Sequence, residues 1–164
     1  VKPAELLSVL REFHREKLAM RQRHVAVARR VTNYNFNNTY QYIIAREDVH
    51  LSWLEAAIAE LGGTAEAVAE PHLPQPKKKD GFVPLVDEDV REAGEFVSRW
   101  RPRMASVTHA RHRTMMEVVL GEVLEHKRFF EQMISGDEDL LGRRANGPGP
   151  SGTGDGVLPV RWIQ

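Results

Sequence analysis

Glu47 and His50 stand three residues apart in the middle of a long amphipathic pattern, so on a helix they share one face. The rest of that face is apolar: Phe36, Tyr40, Ile43, Ile44, Leu51, Leu54, Ile58 and Leu61. A carboxylate and an imidazole turned into a core need partners. These are either hydrogen-bonding side chains on facing helices or a metal ion. No other feature constrains the fold as much, because it calls for several helices around one interior.

The periodicity supplies them. Helices are expected at about 3–31, 36–61, 87–104 and 106–135. Pro3 suits an opening turn, and Leu6, Leu7, Leu10, Phe13, Met20, Val27 and Val31 mark the buried stripe of the first helix. That stripe is unusually polar in its middle, where His14, Lys17, Arg21 and His24 fall on or beside it. The asparagine cluster Asn33 to Asn38 breaks the pattern, and Gly62-Gly63 ends the second helix. A break this short makes helices one and two antiparallel.

Residues 64–86 hold Pro71, Pro74, Pro76 and Pro84, three consecutive lysines and Gly81, which argue against regular structure apart from a short turn at 65–69. Extended, such a stretch reaches roughly 75 Å, twice the length of a 25-residue helix at about 37 Å. It can therefore cross the whole fold and make helices two and three parallel. Asp87 is the expected N-cap of the third helix, and Pro102 marks its kink or stop. The fourth helix carries His112 and His126 on its stripe, Glu122 on the edge of the stripe and Glu125 outside it. Residues 1–136 thus form one all-α domain, and 137–164 a Gly/Pro-rich tail ending in an apolar octapeptide.

The two halves echo one another: Glu47 with His50, and Glu122 with His126. Two carboxylates and two imidazoles meeting at one level suit Fe or Mn, with Zn also compatible. The same groups also suit a metal-free polar core, in which Arg21, His24, Glu47, His50 and His126 satisfy one another and Arg21 supplies the positive charge. That reading predicts Arg21 within salt-bridge distance of Glu47.

A helix pair, a long crossover, a second pair and an inward Glu47-x-x-His50 resemble the ferritin-like superfamily, including rubrerythrins and bacterioferritins. The resemblance covers residues 3–135 in architecture. It implies a ferritin-like four-helix bundle with a long crossover between helices 2 and 3. It also implies a metal site of Glu47, His50, Glu122 and His126, engaged in iron or manganese binding or oxidation. The match departs at helix four, where Val123 stands three residues before His126 and Glu122 four. In helix one Glu16 is the nearest acid, with Arg21 and His24 at the expected level; in helix three the acids are Asp89 and Glu92. The DinB-type bundle, which uses three histidines, is a second resemblance through His50 and His126, with Phe130 where its third histidine would be. The alternative function is a non-enzymatic bundle serving structure or partner binding; no catalytic residue is assigned.

Composition narrows the partners. The 23 Lys plus Arg match the 23 Asp plus Glu, so no global field draws nucleic acid or anionic membrane. The locally basic runs around Arg21–Arg30 and Arg99–Arg113 read as solvated faces or subunit salt bridges. Cysteine is absent, which excludes disulfides and thiolate sites. No apolar run approaches the roughly 20 residues of a membrane span, and no signal peptide is visible. The expectation is a cytoplasmic protein with no membrane or nucleic-acid partner, forming a homo-oligomer, a dimer or larger.

Overall fold

The computed structural model describes residues 2–75, 77, 81–137 and 140–141. These form four helices and no strand: α1 (Pro3–Ala28), α2 (Tyr34–Glu60), α3 (Val83–Met104) and α4 (Ala110–Ile134). The all-helical expectation therefore holds, with shifted boundaries. The tail assigned to 137–164 lies almost wholly outside the described residues.

Each shift has a local cause. Asn33 accepts a hydrogen bond from the Phe36 backbone N–H at 3.0 Å, so α2 starts two residues earlier than the apolar stripe suggested. Gly62, with φ of +80°, turns the chain out of α2. α3 starts at Val83 and not at Asp87, because Pro84 sits in the first turn, where a missing N–H costs nothing. Burial of Leu85 and Val86 fixes that turn. α3 also runs through Pro102 to Met104. α4 starts at Ala110, four residues later than expected, and no helical turn forms at 65–69.

Side-chain pairs set the topology. His24 meets Glu47, and His14 meets Glu55, so α1 and α2 are antiparallel. Arg23 reaches Asp89 while Arg103 reaches Glu12, so α1 and α3 are antiparallel as well. Helices α2 and α3 consequently run the same way. The connection between them lies along α1: Arg11 pairs with Glu66, Gln22 donates to the Val68 carbonyl at 2.7 Å, and Arg30 donates to the Leu73 carbonyl at 3.1 Å. Arg46 with Glu122 and Arg111 with Glu60 make α2 and α4 antiparallel.

The interior is divided along its axis. One apolar cluster is built around Leu10, Phe13, Leu54, Ile58, Phe96, Trp100, Met116 and Val119. Its aromatic centre is Phe13 against the edge of Trp100, with ring centroids 4.9 Å apart. The other cluster gathers Val27, Val31, Phe36, Tyr40, Ile43, Val86, Phe130 and Met133. Between them lies a buried polar layer to which every helix contributes: Lys17 and His24 from α1, Glu47 and His50 from α2, Asp89 from α3 and His126 from α4.

Candidate functional site

Glu47 is the centre of that layer and is fully buried. Its Oε2 accepts a hydrogen bond from the Lys17 ammonium, itself 0% exposed, and its Oε1 lies 2.6 Å from His24 Nδ1. Burial pushes the Glu47 carboxyl up, but His24 and Lys17 outweigh it and hold the group well below the usual carboxylate range. His24 shows the reverse balance. Burial alone would lower it, yet Glu47 at one nitrogen and Asp89 3.8 Å from the other raise it.

Asp89 carries the layer to α3. Its Oδ1 accepts from Arg23 Nε at 2.7 Å, and its Oδ2 from the Tyr40 hydroxyl at 2.5 Å. Burial and the Asp89 charge together push the Tyr40 phenol well above its ordinary value, so it stays a hydrogen donor. Lys17 and Arg23 therefore balance Glu47 and Asp89, charge for charge.

A second cluster lies between α2 and α4. Glu122 accepts from Arg46 at 2.8 and 3.0 Å, and its Oε2 is 2.5 Å from His50 Nε2. Burial raises Glu122, but the His50 and Arg46 hydrogen bonds bring it down to about 2. His50 Nδ1 is buried without a partner. Burial drives His126 down to about 3, although the Glu47 charge opposes it. The ring is thus neutral at ordinary pH, with Phe129 stacked beside it.

Of the residues expected at the site, Glu47, His50, Glu122, His126, His24 and Asp89 are at or beside the layer. Arg21 is not. It turns outward to Asp48, with Nε to Oδ1 at 2.9 Å, and the cation on Glu47 is Lys17, four residues earlier on the same stripe. Glu16 is also displaced: it accepts from Trp100 Nε1 at 2.6 Å and pairs with Arg99 at the α1–α3 seam. Glu92 is half-buried, 3.6 Å from Arg23. Sequence reading also missed Arg23, Arg46 and the polar use of Tyr40. For Lys17 a signal existed, since a lysine stood inside an apolar run of Leu10, Phe13 and Met20.

The donors do not fit the metal that the ferritin-like resemblance implies. Both oxygens of Glu47 are taken by Lys17 and His24, and both oxygens of Glu122 by Arg46 and His50. Among the described residues, no three His, Asp or Glu side chains are arranged to hold a metal ion. Nor is any described helix long and apolar enough to cross a membrane. Comparison with family models, with curated proteins and with solved structures found no match.

Proposed function

We propose that the chain is a ferritin-like four-helix bundle whose centre is neutralised by its own cations, and that it works as a structural or partner-binding protein. The order of the helices, the crossover along α1 and the polar layer supplied by all four helices support the ferritin-like reading. One observation carries the functional reading: the Lys17 ammonium sits on Glu47 with neither side chain exposed. In a low-dielectric interior a carboxylate needs one compensating positive charge, and Lys17 supplies it. A divalent ion there would meet a like charge at contact distance.

The competing reading, iron or manganese binding, rests on the inward Glu47 and His50 and on the neutral His126 ring. The two readings part in a simple measurement. The full chain, purified without chelator, is expected to hold far less than one equivalent of Fe, Mn or Zn. Its melting temperature should not move on adding Fe(II) or Mn(II), whereas a ligand of the native state raises it by mass action. A stoichiometric metal, or a clear rise with Mn(II), would sink the proposal.

A further inference from the structure

The outer side of the α2–α4 seam carries an apolar strip left partly open to solvent. Trp53, Val49 and Val118 are 38%, 37% and 43% exposed. The register set by the Tyr42–Phe129 ring contact and the Glu60–Arg111 pair puts Trp53 level with Val118. Ala56, exposed, and Met115, half-buried, continue the strip. An interhelix ion pair closes each end: Arg46–Glu122 at one and Arg111–Glu60 at the other. An apolar floor with a polar rim is the anatomy of a binding surface.

We propose that this strip receives residues 157–163 of the same chain, Val-Leu-Pro-Val-Arg-Trp-Ile. Two lengths select that occupant. Between the ion pairs, α2 runs from Arg46 to Glu60, about 21 Å at helical rise. Seven extended residues span about 23 Å. Pro159 favours that extended form and removes one backbone donor that would otherwise need a partner.

The connection also has the right reach. After α4 the chain reverses at Gly136, with φ of +87°, and Leu140 is buried in the cluster that holds Phe129 and Met133. The start of the tail is thus fixed at the α4 C-terminal end of the fold. From there to Val118 is about 24 Å along the helix. Residues 142–156 include six glycines, and a chain of that length and composition has a random-coil r.m.s. length of about 21 Å. A linker whose mean length matches the span gives the highest effective concentration of its end at the site.

The absence of cysteine makes a single introduced thiol a clean probe. Val118→Cys is placed in the full chain, once with the native tail and once with Leu158→Asp and Trp162→Asp together. The rate of reaction with dithiobis(nitrobenzoate) is then compared. The native tail is expected to slow Val118→Cys by about tenfold or more. Val49→Cys should be slowed likewise and stands in should the Val118 variant fold poorly. A thiol at Tyr34, 76% exposed at the start of α2, should react equally with both tails. Equal rates at 118 and 49 overturn the proposal. Protection that vanishes on roughly thousandfold dilution overturns it too, since the segment would then come from a second copy.

Discussion

At the scale of the residue, the protein turns on Lys17 and Glu47. Two buried charges are stable together and costly apart. Lys17→Met alone or Glu47→Leu alone should each cost about 3–5 kcal/mol, because each strands the other charge in the core. The double variant should recover most of that loss and can match wild type, since apolar residues of similar volume avoid desolvation altogether. Urea midpoints of the four proteins give the coupling; a double variant as unstable as the two single losses added would refute the pairing. How far this was legible in the sequence is equally a matter of residues. The spacing of Glu47 and His50 within an apolar stripe was enough to turn both inward. Arg21 and Lys17 were harder to separate. They are four residues apart on one stripe, about 40° apart around the helix. Which of them reaches Glu47 depends on the level at which α1 and α2 cross, and no local pattern encodes that level.

At the scale of the element, the helix ends show what punctuation does. Asn33 holds the first turn of α2 through its side-chain oxygen, and Asn33→Ala should cost about 1 kcal/mol. Gly62 needs its positive φ, and Gly62→Ala should cost about 1 kcal/mol or somewhat more through left-handed strain, although a Cβ there meets nothing within 4 Å. Thermal denaturation of the two variants checks both figures. Losses below a few tenths would show that tertiary packing alone sets the ends. The existence and order of the four helices were legible because their stripes are long. The start of α3 was not, because Pro84 is a breaker in mid-helix and a favoured residue in a first turn. Only the docking of Leu85 and Val86 decides between the two.

At the scale of the whole molecule, the buried ionisable groups set a stability profile in pH. His126 is held at about 3 in the folded chain against 6.5 unfolded, so the unfolded chain binds its proton first. Stability therefore falls as pH drops from 6.5 toward 3, by up to about 1.4 kcal/mol per pH unit from this one ring. Glu122, held at about 2, and Glu47, also held well below the usual carboxylate range, add their loss as pH falls below 4.5. His24 is raised and acts oppositely: its contribution is complete below 6.5 and is lost as pH rises through its folded value. The profile should peak near neutrality. In His126→Leu the slope between pH 6.5 and 4.5 should be visibly shallower in urea titrations; an unchanged slope would show that another group dominates that limb.

The division of the interior into two apolar halves by a charged layer also bears on how the chain finds its fold. The α1–α2 and α3–α4 hairpins each close through contacts near in sequence, and such contacts form early. Joining the hairpins strips water from Asp89 and brings it to Arg23 and Tyr40 across the α1–α3 and α2–α3 boundaries. A join slipped by one helical turn would leave these groups dry and unmatched, at a cost of several kcal/mol per charge. The layer thus sets an energetic penalty on misaligned hairpin pairs that two greasy surfaces alone would lack.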